Sequence, residues 1–515
     1  MKKIKIVSLL IWLSWVGVSC NMDLAPDSAM PEKDALRTAK DCDAWIVGVY
    51  SAFKNDALYS GALTLLPDIQ ADMAYAANTN TGYYAAYYQW NFKSTSPEII
   101  DVYNGLYTIV ARCNFFFDYK DQVEANLKTK EDKDTFKKRL GEAYFARALA
   151  YADLIRTFCE PYNSENADKP DMGICLPTTY QDAQPMVKRS TLRESYNQVL
   201  SDLKNAEDNL PASRTVADSQ YFSLGAVYAL RARVCLYMGM GDLKIDPNNE
   251  YLKQSVEAAT KVIETDAYTL ADAVYTTGGS NYSEYQLMWI QDSSNEIIWK
   301  IGMSANSYGG ALGKELMGNY TGAFIPQYHF AEDILDLYGD TDRRAATFCS
   351  QQEDVNGDQV YIIIKYPGNP IIDGGAKKLW VNMPKPLRLS EVYLVRAEAY
   401  YWLGKEEDAQ KDLSTLERKR MNGFGTISAS GDDLLKEIQD ERARELYMEG
   451  FRLSDLKRWH KDIKRDKQMY AMDGVNNDEL NVKYGDAKYR FTTWPIPKHE
   501  IEATNGLVVG NASNN

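Results

Sequence analysis

The stretch Leu66–Phe92 gathers the side chains best suited to hold a ligand. Tyr75, Tyr83, Tyr84, Tyr87, Tyr88 and Trp90 surround a polar turn, Asn78 to Gly82, with Asp72 just upstream. Sugar rings present C–H faces that stack on aromatic rings, while carboxylates, amides and phenol hydroxyls satisfy the ring hydroxyls. A polar loop flanked by aromatics supplies both kinds of contact, and the same rings would serve equally to pack beneath the loop. If Tyr83 to Trp90 is helical, Tyr83, Tyr87 and Trp90 share one side and Tyr84 and Tyr88 another, so only a subset can face a ligand. A second aromatic set, Tyr282, Tyr285, Trp289, Tyr308 and Tyr320, punctuates Gly-rich loops further along.

Catalytic chemistry finds no comparable constellation. His329, His460 and His499 are the only histidines, none in an H-E-x-x-H pair, and no G-x-S-x-G, P-loop or dinucleotide fingerprint occurs. With 72 Asp and Glu, chance carboxylate pairs are inevitable and none is singled out for glycoside hydrolysis. Beyond Cys20, the cysteines Cys42, Cys113, Cys159, Cys175, Cys235 and Cys349 are irregularly spaced, which indicates neither a metal site nor a disulfide framework. Cys42, Cys113 and Cys235 read as small core residues; Cys159 and Cys175 flank one loop and leave a pairing open. Asp354–Asp358, DVNGD, has the flavour of a calcium loop, but Asn-Gly between extended residues is first a hairpin turn. No cofactor is expected.

A net charge of −14 argues against nucleic acid, which requires a basic stripe. The 515 residues, 45% apolar and 25% charged, are globular in composition, and 36 Tyr is an unusual share. Lys2, Lys3 and Lys5 precede a short apolar run, Val7–Val18, too short to span a bilayer and ending in small residues before Cys20. This pattern looks like a lipoprotein signal, so residues 1–19 are expected to be removed, Cys20 to carry lipid, and residues 20–33 to form a tether.

Most of the chain that must position the aromatic loops is helical in period. Thr38–Tyr50, the run through Tyr103 and Asn114, the Ala-rich stretch ending near Cys159, Thr191–Leu210, and the pair Tyr221–Gly239 and Tyr251–Tyr268 all repeat apolar residues every three or four positions. In the last third Leu389, Val392, Val395, Ala399 and Trp402 mark a helix that Gly404 ends, and Ala409, Leu413 and Leu416 mark its partner, at the spacing of a tetratricopeptide-type hairpin. About four such hairpins are expected to stack around a continuous core. Between Tyr268 and Pro386 periodicity fades, and NEIIWKI (295–301) and VYIIIKY (360–366) read as short strands. A charge ladder follows, and Glu441 with Arg444, Glu449 with Arg452 and Asp455 with Arg458 are each three apart, a spacing that brings them together on a helix. A network locking helices together is expected there, so that losing Glu441 or Arg452 harms folding rather than chemistry.

Three long motifs, LRLSEVYLVRAEAYYWLG (387–404), ERARELYMEGFRLSDLKRW (441–459) and WPIPKHEIEATNGL (494–507), together resemble the SusD/RagB family of outer-membrane nutrient-binding lipoproteins. Cys20-x-x-Asp23-Leu24-x-Pro26 is similar to the start of many members. The resemblance implies a mainly α fold, a tetratricopeptide-like scaffold with a loop-rich lobe holding a few short strands. It implies a helical N-terminal region over 34–270, and over 271–515 a C-terminal region containing the loop-rich insertion and the last helical repeats. It also implies non-catalytic capture of a glycan at the cell surface, with delivery to a TonB-dependent SusC-like transporter. A peptide ligand, a secreted glycosidase and a bare scaffold are the alternatives. Family members build the glycan site partly from loops near Leu66–Phe92. On this basis Asp72, Tyr75, Asn78, Tyr83, Tyr84, Tyr87 and Trp90 are expected on one wall, and Tyr285, Trp289, Tyr308 and Tyr320 on the other.

Overall fold

A computed structural model describes residues 34–514 apart from 181–186, 212–217, 277–279, 319–323, 375–379 and 473–479. The leader, Cys20, the tether and Tyr320 lie outside the described residues. In chain order the elements that matter are α1 (Ala39–Ala52), α2 (Ala62–Gln70), β1 (Ala74–Ala76), α3 (Ala85–Tyr88), α4 (Pro97–Asn126), α5 (Lys130–Phe158), α6 (Leu192–Glu207), α7 (Leu224–Gly239), α8 (Glu250–Ile263) and α9 (Glu284–Ile290). After these come β2 (Ile297–Trp299), β3 (Tyr328–Phe330), β4 (Cys349–Glu353), β5 (Gln359–Ile363), β6 (Leu387–Arg388), α10 (Leu389–Trp402), α11 (Glu406–Glu417), α12 (Gly431–Glu445), α13 (Arg452–Arg458) and α14 (Lys498–Ala503). The fold is mainly α, as expected.

Local chemistry explains where the helices begin and end. Thr38 and Asp41 form a capping box on α1, Thr191 and Glu194 another on α6, and the Asn249 side chain accepts from Tyr251 and Leu252 at the start of α8. Gly404 takes φ +72° just past α10, a left-handed conformation that a side chain would strain. The charged stretch from Lys130 forms the first turns of α5.

Successive helices pack on one another: α4 on α5, α5 on α6, α7 on α8 and α10 on α11, with α8 also lying against α10. The turn between α7 and α8 is tight, since a Cβ on Gly239 would come within 2.7 Å of Leu252. The faces of these helices merge into one hydrophobic core that runs from Leu36 to Val508 and includes Cys42 and Cys113. Cys159 and Cys175 are both free and buried. A second core lies in the loop-rich lobe around Tyr285, Trp289, Tyr328, Phe330, Phe348 and Tyr447.

The lobe holds an antiparallel sheet of order β1-β3-β5-β4, registered by Tyr75 opposite His329 and Gln351 opposite Tyr361. Asn356 and Gly357 make the β4–β5 turn, and among the described residues no acidic, His or Cys cluster could hold a metal. A short ribbon pairs β2 with β6, and β6 runs straight into α10, joining lobe to scaffold.

The charge ladder is buried at this junction, with two of its three expected pairs formed. Glu441 accepts from Arg444 at 2.8 Å and Asp455 from Arg458 at 2.9 Å. Glu449 and Arg452 do not pair. Glu449 lies between Arg388 and Lys365, and Arg452 makes a bidentate bond to Asp72, both oxygens at 2.7 Å. Arg452 begins α13, whose N-terminus is turned toward α2, so tertiary packing overrides the three-residue spacing. Arg344, Arg388 and Arg420 converge on Glu445, which neither their spacing nor the ladder revealed.

Candidate functional site

The loop between β1 and α4 holds two aromatic residues in the left-handed region, Tyr84 and Trp90. Tyr84 adopts φ +53°, a conformation a bulky side chain avoids, and α3 lasts only from Ala85 to Tyr88. Helical facing therefore does not hold across Tyr83–Trp90. Tyr83 and Tyr84 both stay half-buried on the outside, with ring centroids 4.0 Å apart, while Tyr87, Tyr88 and Trp90 turn inward. The expected sharing of one side by Tyr83, Tyr87 and Trp90 is corrected by this backbone reversal.

The polar turn is held rigidly from outside. Asn80 donates to the Tyr83 and Gln327 carbonyls and accepts from Gly82 N–H at 2.7 Å. Gln327 Oε1 accepts from Thr81 N–H at 2.8 Å, and the Tyr328 hydroxyl donates to the Tyr83 carbonyl at 2.8 Å. The two half-buried tyrosines thus stand on a frame set by the flank of β3, the kind of preorganisation that reduces the entropy lost on binding. Neither Gln327 nor Tyr328 carries a local sequence signal for this role.

Burial, first, pushes the Tyr84 phenol up to about 12, with Glu98, Asp56 and Glu315 adding to the rise. Burial also raises the Tyr83 phenol, with Tyr84 beside it. Both hydroxyls are therefore neutral donors at physiological pH, in a neighbourhood fringed by three carboxylates. Tyr308, exposed, lies on another loop: Ser307 accepts from Lys54 Nζ at 2.9 Å, and Gly309 and Gly310 approach Lys54 and Ser60 too closely to admit a Cβ.

Other expected contacts lie elsewhere. Asp72 is committed to Arg452. Tyr75 is buried, its hydroxyl 3.1 Å from His329 Nδ1. Tyr87 donates to Glu98 at 3.0 Å and stacks on Phe92, and Trp90 belongs to a small buried cluster with Leu453 and Ile463. Tyr285 and Trp289 are core residues, 0% and 2% exposed: the Arg420 guanidinium covers the Tyr285 ring at 4.2 Å, and Lys365 and Lys385 lie 4.1 and 4.7 Å from the Trp289 centroid. Cations packed on their rings leave no face for a sugar, which corrects their expected place on the second wall. Of the expected residues, Asn78, Tyr83 and Tyr84 share the loop braced by Gln327 and Tyr328, and Tyr308 lies on a separate loop bonded to Lys54. This arrangement can stack rings and donate or accept hydrogen bonds; it contains no nucleophile paired with a base.

Comparison with known proteins agrees with this architecture. The SusD family model matches residues 378–513, and a second model, described as starch-binding and associating with the outer membrane, matches residues 21–236, together more than half of the chain. SusD-like protein P2 of Formosa agariphila is 22% identical over 99% of this chain and 99% of its own length. The starch-binding protein SusD of Bacteroides thetaiotaomicron is 27% identical over 77% of this chain and 75% of its own. A SusD superfamily structure from Bacteroides thetaiotaomicron superimposes with a TM-score of 0.75 at 25% identity, over 92% of this chain and 99% of that one.

Proposed function

The chain belongs to the SusD family, and from that premise we propose that it captures a glycan at the bacterial outer surface without cleaving it. Delivery is to a TonB-dependent, SusC-like transporter, and Cys20 carries the lipid that holds the protein at the outer membrane. The observation that carries the binding site is the outward Tyr83–Tyr84 pair, braced by Asn80, Gln327 and Tyr328. The carboxylates of Asp56, Glu98 and Glu315 around it favour a neutral polysaccharide over a sulfated or uronic one, because like charges repel in a partly desolvated site. The buried tyrosines and Trp289 support the loops rather than touch ligand.

The test is affinity electrophoresis and calorimetry of Tyr83→Ala and Tyr84→Ala against neutral and acidic polysaccharides, with thermal melting as the fold control. Each lost ring should weaken binding by about 1–2 kcal/mol, roughly tenfold. Parent affinity in both variants, for a polysaccharide the parent binds, would move the site elsewhere. Release of reducing ends on incubation would overturn the non-catalytic assignment.

A further inference from the structure

The segment Arg465–Met472 lies nearly 400 residues from the Tyr83–Tyr84 loop in sequence and is strapped against its base. The Asn78 N–H donates to the Tyr470 carbonyl at 2.9 Å, the Met472 N–H donates to the Ala76 carbonyl at 2.9 Å, and Ala77 bridges Ala471 in antiparallel fashion. At the far end of the loop the Gln89 amide lies 3.9 Å from the Met472 sulfur. The strap is thus an added strand: β1's extension has Gln327 on one side and Tyr470 on the other.

Arg465 fixes the strap to the loop from below. Buried and, among the described residues, bonded to no carboxylate, it donates to the Ile69, Gln70 and Ala71 carbonyls at the end of α2 and to the Tyr88 carbonyl of α3, at 2.6–3.1 Å, with its guanidinium 4.2 Å over the Tyr88 ring. One planar fork thereby holds both ends of the loop that bears the tyrosines. At the other end of the strap, Tyr470 adopts φ +62°, an aromatic held, like Tyr84 and Trp90, in the left-handed region. Beside it Met469, with its polarizable side chain, is 66% exposed.

We propose that Tyr470 and Met469 form the second wall of the glycan site, in place of the buried Tyr285 and Trp289, and that Arg465 is the positioning residue that sets the wall's distance from Tyr83 and Tyr84. The proposal rests on the glycan reading above. It gives the strap a substrate role: a sugar chain lying along Asn78 meets Tyr83–Tyr84 on one side and Tyr470 on the other.

The test uses the full chain and a neutral oligosaccharide that the parent binds. Tyr470→Gly removes the ring and relieves the left-handed backbone, so its melting temperature should hold or rise while affinity falls about tenfold. Tyr470→Phe should keep most of the affinity, and Met469→Ala should lose a few-fold. Arg465→Lys, read by calorimetry, should weaken binding through a larger unfavourable entropy, the signature of a loosened loop. Parent-like affinity in Tyr470→Gly, while Tyr83→Ala is weakened, overturns the second wall and leaves the first standing. Parent-like affinity in both overturns the site itself.

Discussion

Glu445 offers the sharpest test of what holds the lobe to the scaffold. It is fully buried at the end of α12 and accepts from Arg344 at 3.0 Å, Arg388 at 2.9 Å and Arg420 at 2.9 and 3.1 Å. Burial by itself would raise this carboxyl; Arg420, Arg388 and Arg344 outweigh it and hold the group well below the usual carboxylate range. Glu445→Gln keeps the shape, removes the charge and turns an N–H₂ toward a guanidinium. Each arginine keeps another acid: Asp342 and Glu441 for Arg344, and Glu296 for Arg388 and Arg420. The cost should therefore fall at the low end of the range for a broken buried pair, about 3 kcal/mol. For a chain of this size the unfolding entropy is of order 1 kcal/mol per kelvin, so the melting temperature should drop by about 3 °C at pH 7. The sign of the pH dependence is fixed by the lowered pKa. The stabilisation from the ionised group is complete above the ordinary glutamate value and is lost as pH falls through the folded one, so parent and variant should converge in acid. Calorimetric melting from pH 7 to pH 3.5 measures both. A variant that melts with the parent at pH 7, or one that melts normally but has lost polysaccharide binding, would refute a purely structural network.

Two further outcomes are expected. Cys20→Ala should move the protein from the membrane fraction to the soluble fraction and abolish acyl labelling; unchanged fractionation with continued labelling would exclude Cys20 as the anchor. His329 is lowered to about 4 by burial, so its neutral form is favoured in the folded state, and its contribution to stability, about 3 kcal/mol, is lost as pH falls from about 6.5 to 4. Urea midpoints at pH 7 and pH 4.5 should fall less in His329→Gln than in the parent, and an equal fall in both would remove the histidine from the account.

The amino-acid sequence by itself determined the helical scaffold. The apolar period, Thr38, Thr191 and Gly404 are local signals acting within one or two turns, and helix geometry turns them directly into structure. The β4–β5 hairpin at Asn356-Gly357 was legible for the same reason, as were the ion pairs of Glu441 with Arg444 and Asp455 with Arg458. The sequence also drew attention to the loop proposed here as the ligand site, because a concentration of tyrosines is visible without knowing which way each points. Only the tertiary structure decided which rings face out. Tyr84 is forced left-handed by a loop bonded to Gln327 and Tyr328, about 240 residues away. Trp289 and Tyr285, as aromatic as Tyr83, are covered by Lys365, Lys385 and Arg420 from distant segments. Arg452 passes over Glu449, three residues away, for Asp72 in the turn after α2. Burial and charge pairing depend on what the rest of the chain brings alongside, and no spacing along a helix or loop encodes that partner.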